Sequence, residues 1–255
     1  MFALILGNCL FCGTAASQDS SKGAASSVDN GTDPTKFSRI VDAKYEYLEL
    51  NAGISSGTLR LSYFQPLGDK RDYNLRLRVP VTRVNALGND DHGLGDVSAQ
   101  ISRVLGLTRT HGFVAQGEVS LDTARRPELG AGKNVFKGTL VYALFLPGGA
   151  IFAPAVVQSN SFSGKSSRAT INSSTFDFYY VPKFRDPRNL MTLDPALNID
   201  WENDTRFVSL AVTIGRAIGP AMGGNGVLSV KPSLFAGDDK PGKWGIEAGY
   251  KIIGF

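Results

Sequence analysis

The chain holds only two histidines, His92 and His111, and two cysteines, Cys9 and Cys12. Those residue types carry much of nucleophilic, acid–base and metal chemistry, so their spacing bounds what the protein could catalyse. Cys9-Leu-Phe-Cys12 has redox or metal spacing but lies inside an apolar leader-like run, where an incidental pair is expected. Asn89-Asp-Asp-His-Gly93 brings three oxygen ligands and an imidazole together, yet it fits no EF-hand spacing and reads as a solvated surface loop. Gly93-Leu-Gly-Asp96 lacks the third glycine and the strand–helix context of a dinucleotide fingerprint. Its glycines instead permit φ > 0 in a loop that enters a strand. A Ser–His–acid hydrolase acting on lipid needs its histidine on the rim of its nucleophile. Ser159, Ser161 and Ser163 share the long-loop side with His92, so that alternative stays open without a motif behind it. No catalytic residue, metal or cofactor is expected.

The charged residues form a more informative constellation. Arg60, Arg76 and Arg78 alternate with apolar neighbours, as do Glu118, Asp122, Asp177, Asp194 and Asp200. On one assignment of faces the arginines line the inside of a closed sheet and the carboxylates stand across from them. Buried charges must be paired or hydrated. Two readings follow: a pore whose opposed walls act as a selectivity element on permeating solutes, or a salt-bridged interior that holds the wall together. Phe145, Phe152 and Val156 could line a hydrophobic path beside them.

The elements that must position these groups are strands. In Tyr73–Val81, Tyr73, Leu75, Leu77, Val79 and Val81 share one face, opposite Asn74, Arg76, Arg78 and Pro80. Met191–Trp201 alternates almost as cleanly, and 97–102 and 113–122 follow. Weaker alternation over 43–51, 57–65, 135–146, 150–159, 174–183, 205–216, 226–236 and 244–255 brings the expected total to about twelve strands. Connectors 82–95, 123–134 and 159–174 are longer and polar; 147–150 and 183–189 are tighter. Long loops at one end and short turns at the other characterise membrane barrels, and an even strand count returns both termini to the periplasmic side.

Alternation alone does not distinguish a soluble barrel from a membrane barrel. Strand lengths near those needed to cross a bilayer, about ten residues, favour the membrane. So do aromatics near strand ends, namely Tyr45, Tyr47, Tyr63, Tyr73, Phe113, Trp201 and Trp244. No apolar run is long enough for a spanning helix, and hydrophobic residues make up 42% of the chain. The 29 glycines and 15 phenylalanines, beside three methionines, suit strands and turns. The formal charge of +4 is scattered rather than gathered into a stripe, which argues against nucleic acid.

The expected organisation is a signal peptide over 1–17, a flexible polar linker over 18–37, and an all-β, antiparallel up-and-down transmembrane barrel over 38–255. The last residues, Gly249-Tyr-Lys-Ile-Ile-Gly-Phe255, look like an outer-membrane assembly signal closing on Phe255, with the assembly machinery as the implied partner. Lys251 departs from that pattern, because the face of Phe255 should be apolar.

Asn74-Leu-Arg-Leu-Arg-Val-Pro-Val81 and Gly93-Leu-Gly-Asp-Val97 resemble the bacterial family of outer-membrane proteins named for the meta-pathway of phenol degradation. The resemblance covers 57–255. It implies a transporter-like barrel of the Gram-negative outer membrane, for small hydrophobic or aromatic compounds, and it supplies no catalytic residues. The expected function is therefore a transporter or passive, porin-like channel, not an enzyme. The alternatives are the lipid hydrolase above and a non-conducting structural or adhesin-like barrel.

Overall fold

The computed structural model describes residues 31–86 and 89–255. The leader, Cys9 and Cys12 lie outside them. The strands are β1 (Ile40–Leu50), β2 (Ile54–Leu67), β3 (Tyr73–Ala86), β4 (Asn89–Leu94), β5 (Ser98–Leu107), β6 (His111–Ser120) and β7 (Lys133–Phe145). They continue with β8 (Ile151–Gly164), β9 (Asn172–Val181), β10 (Asn189–Asp200), β11 (Thr205–Ala221), β12 (Gly224–Ala236) and β13 (Gly242–Ile253). All pairings are antiparallel, and β1 pairs with both β2 and β13, so the sheet closes on itself. Closure leaves the wall without an edge, the one way a β-sheet can satisfy its backbone in lipid.

Twelve strands form the wall, each where alternation places one. β4 is the addition. It pairs with Val81–Ala86 of β3, while β5 takes Tyr73–Arg78 of the same strand. Much of 82–95, expected as a loop, is therefore strand: 82–86 continue β3 along β2, and β4 pairs on their other side. Arg83 clamps it, with Nε donating to both oxygens of Asp90 at 2.9 and 3.0 Å. The 159–174 connector also shrinks, to 165–171, because β8 runs on to Gly164.

The exposed face is the apolar one. Leu61 is 48% exposed, Leu140 63%, Ile214 58% and Leu234 61%. On the other face, buried residues include Asp42, Arg60, Arg76, Glu118, Asp177 and Glu247. A soluble barrel buries its apolar face and wets its charges; this one does the reverse. Tyr47 lies beside Trp244 at 5.5 Å between centroids, and Phe113 beside Tyr142 at 4.6 Å.

The end of the barrel where β1 begins and β13 finishes is the near end. Gly254 N–H donates to Arg39 O at 2.9 Å there, and the Arg39 guanidinium lies 5.9 Å from the Phe255 ring centroid. β13 stops at Ile253, so Phe255 lies past the strand and its face does not constrain Lys251, which points inward toward Gly31.

The near half of the lumen is closed by two apolar clusters. Ile40, Phe64, Leu190, Ala217, Val227 and Ile253 form one. The other gathers wall residues of β6 to β9, among them Val114, Val141, Ala143, Ala155 and Tyr179, around Phe37, which is 2% exposed. Phe37 belongs to the polar segment expected as a free linker. Its described part, 31–37, is instead seated inside the barrel, with Gly31, Pro34, Thr35 and Phe37 all buried. The segment turns on Asp33, whose Oδ1 accepts from the Thr35 amide at 2.9 Å and hydroxyl at 2.7 Å. The wall makes room for it: a Cβ on Gly112 would lie 2.7 Å from the Thr35 methyl.

Candidate functional site

Strand alternation turns Arg60 of β2 and Arg76 and Arg78 of β3 into the lumen. Their partners are not across the barrel, as expected from sequence, but around the wall. Arg60 bonds Glu46 of β1 at 3.0 Å and Glu247 of β13 at 2.6 Å. Arg76 and Arg78 both reach Glu118 of β6, at 2.8 and 3.3 Å. Opposed acidic and basic walls are therefore replaced by lateral ion pairs. The cause is reach: a guanidinium on a long side chain meets carboxylates one or two strands away along the wall before it can span the lumen.

The other predicted carboxylates separate. Asp177 is buried on β9 and Asp194 pairs with Lys231 of β12 at 3.4 Å. Asp122 lies past β6, 3.6 Å from Lys165. Asp200 is not luminal in function: its Oδ1 accepts from the amides of Glu202 and Asn203, fastening the β10–β11 turn. Alternation reads the direction of a Cβ, not the local hydrogen bonds that redirect a short side chain.

Sequence reasoning missed Glu46, Glu247, Lys44 and Lys231. Lys44 lies 3.6 Å from Glu247, so Glu247 is shared between Lys44 and Arg60. Their signal was the same alternation, in Lys44-Tyr-Glu-Tyr47 and Glu247-Ala-Gly249, inside the strands with the weakest pattern. Beside Lys44, Thr192, Lys231 and Glu247, Gly31 and Thr32 border a cavity of about 50 Å³. That is room for a few waters, not for a solute.

One imbalance stands out in this network. Two guanidiniums, Arg76 and Arg78, converge on the single carboxylate of Glu118, with Lys137 directly across the ladder from it. Arg78 Nε is buried without a hydrogen-bond partner. Each removal from water is costly unless compensated, and Glu118 supplies compensation to both guanidiniums.

The expected hydrophobic path does not line the lumen. Phe152 and Val156 alternate with buried Ala153 and Ala155 and face outward; Phe145 alone shares the face of Val141 and Ala143. The groups weighed for catalysis are dispersed. His111 starts β6 at the near end, with Nδ1 3.2 Å from the hydroxyls of Thr108 and Thr110. His92 lies in β4 at the far end. Ser161 and Ser163 accept from the Ile171 amide and from Asn134 Nδ2, and Ser159 is buried. Asp90 and Asp91 of the weighed cation loop are taken by Arg83 and Arg126. Asp96, after the two glycines, accepts from the amides of Thr123, Ala124 and Ala131 and pins the 121–132 loop.

No protein-family model matches the chain, and no curated protein does. Solved structures match its shape. The COG4313 outer membrane channel from Pseudomonas putida F1 superposes with a TM-score of 0.64 at 13% identity, over 85% of this chain and 95% of that one. The KdgM porin gives 0.55 at 8% identity, over 84% and 98%. The translocator domain of the autotransporter NalP from Neisseria meningitidis gives 0.52 at 9% identity, over 88% and 91%. At these identities the likeness is one of fold: this chain has the fold of bacterial outer-membrane β-barrels.

Proposed function

We propose that this protein is a channel of the bacterial outer membrane that passes small solutes and performs no catalysis. The observation that carries this reading is the inversion of the wall, an apolar belt outside and a charged, hydrogen-bonded lumen inside. Buried ionisable side chains, among them Asp42, Arg60, Arg76, Glu118, Asp177 and Glu247, line the inner face, and a conduit needs such a polar path. The shape shared with a channel and a porin supports it. The resemblance to the phenol-degradation family suggests hydrophobic or aromatic solutes, and the polar lining adds that such solutes carry a polar group.

In the described state the lumen is shut by residues 31–38 and by the apolar clusters at the near end, so passage requires that segment to withdraw. Arg76 and Arg78 are the selectivity element, with Arg60, Asp177 and Asp194 as further lining; Phe255 serves assembly. Arg76→Ala with Arg78→Ala leaves Glu118 without its guanidiniums, and bilayer recordings under a salt gradient should show the reversal potential move toward cation preference. A folded double mutant with unchanged reversal potential would sink this assignment. The lateral pairing of the charges favours a second reading, a non-conducting wall protein. It would be upheld by an absence of current even after deletion of residues 31–38.

A further inference from the structure

The two ends of the barrel carry different charge. At the near end the turns are 68–72, 108–110, 146–150, 182–188 and 222–223. They hold six basic side chains, Lys70, Arg71, Arg109, Lys183, Arg185 and Arg188, against three acidic ones, Asp69, Asp72 and Asp186. The far-end connectors 51–53, 95–97, 121–132, 165–171, 201–204 and 237–241 hold five basic and seven acidic.

The near-end cations are exposed, and several are neighbours in sequence of exposed apolar residues. Arg109 follows Leu107, which is 56% exposed, and Phe184 separates Lys183 from Arg185. Arg103, on the outer face of β5, stacks over the Tyr73 ring at 4.9 Å. Arg216 stands outward at the near end of β11, next to a hairpin tip whose Ile218 and Met222 are 56% and 85% exposed. Asp186 does not cancel the set. The side-chain hydrogen bond from Arg188 holds its carboxyl down at about 2, so it is ionised and offsets Arg188, leaving Lys183 and Arg185 beside it. A cation at the polar edge of an apolar belt is the arrangement that meets a headgroup phosphate while its neighbours enter the acyl chains.

We propose that the near-end rim is a docking surface for the headgroups of anionic phospholipids. The inference rests on the membrane reading above and adds to it a lipid partner and a side. Each rim cation gains Coulomb energy from an anionic surface, on the order of fivefold in affinity per side chain in contact. The far end, with its acids in excess, gains none. The lipid class follows from the phosphate-bearing, singly charged headgroup that spaced single cations can match.

The test uses the full chain, folded in detergent, with equimolar phosphatidylcholine and phosphatidylglycerol, and counts retained lipid by native mass spectrometry. Phosphatidylglycerol adducts should exceed phosphatidylcholine adducts about fivefold or more. Lys70→Gln, Arg71→Gln, Lys183→Gln and Arg185→Gln together should bring the ratio near one. Lys165→Gln with Lys240→Gln at the far end should leave it unchanged. Should the fourfold variant fail to fold, Arg109→Gln alone, in an exposed three-residue turn, should still lower the ratio. Equal adducts in the parent protein would overturn the proposal, as would a preference erased by the far-end substitutions. Preferential retention of lipid A over phosphatidylglycerol, abolished by the near-end substitutions, would assign the rim to the other lipid and also overturn it. Conductance of the chain lacking residues 31–38 separates the two readings: lipid selection by the parent protein without current in that deletion upholds the rim and sinks the channel, and current without lipid selection does the opposite.

Discussion

At Glu118 one carboxylate serves two guanidiniums, and the arithmetic of buried charge sets what its loss costs. Removing it leaves Arg76, only 3% exposed, beside Arg78 with repulsion in place of attraction. Glu118→Ala should therefore destabilise the refolded barrel by about 3–5 kcal/mol, read as a shifted urea midpoint. Arg83→Ala is the contrast. Its partner Asp90 is equally close, but the Arg83 side chain is 63% exposed, and the cost should stay below about 1 kcal/mol. Much of this scale was legible in advance. Alternation puts Arg60, Arg76, Glu118 and Asp177, all of them buried, opposite the apolar face of their strands, because Cβ direction is a property of the strand alone. Which carboxylate each arginine takes depends on strand neighbours that only closure supplies, and so Glu46 and Glu247 went unseen.

At the scale of elements, residues 31–38 show composition misleading and tertiary context deciding. Serine, glycine, aspartate and lysine describe a solvated linker, and Phe37 is the one large apolar side chain in 31–38. Its seat is made by β6 to β9, strands some 75 or more residues away in sequence, which no local reading connects to it. Burying such a ring is worth about 1.5–3 kcal/mol, or roughly ten- to a hundredfold in the seated population. Phe37→Ala should raise the open probability in single-channel recordings by that order, while Lys36→Ala, whose side chain is 54% exposed, should leave it near the parent value. The hairpin of β3 and β4 teaches a related point. Residues 82–86 carry strand-forming Thr82 and Val84 but end among Gly, Asn and Asp, and turn chemistry masked the ladder that continues through them.

For the whole molecule, a period of two and an even count carried the architecture. Each of the twelve wall strands lies where alternation put it, because a face that must meet lipid along its length cannot lapse without cost. Closure is then obligatory, and β13 provides it by pairing with β1 from Ile40–Ile253 to Leu50–Gly242. Truncation before Gly242 exposes the edges of β1 and β12 and should abolish the compact band seen on unboiled gels. Removal of Phe255 alone, which lies past the ladder, should leave that band intact in refolding from urea.

The seat of Phe37 exists only once there is a lumen, and the lumen exists only once β13 has joined β1. Contacts between residues near 40 and near 253 are the most distant in sequence that the wall makes, and such contacts form late. The stretch made before any strand is thus the last to find its place. The order of seating then runs opposite to the order of synthesis.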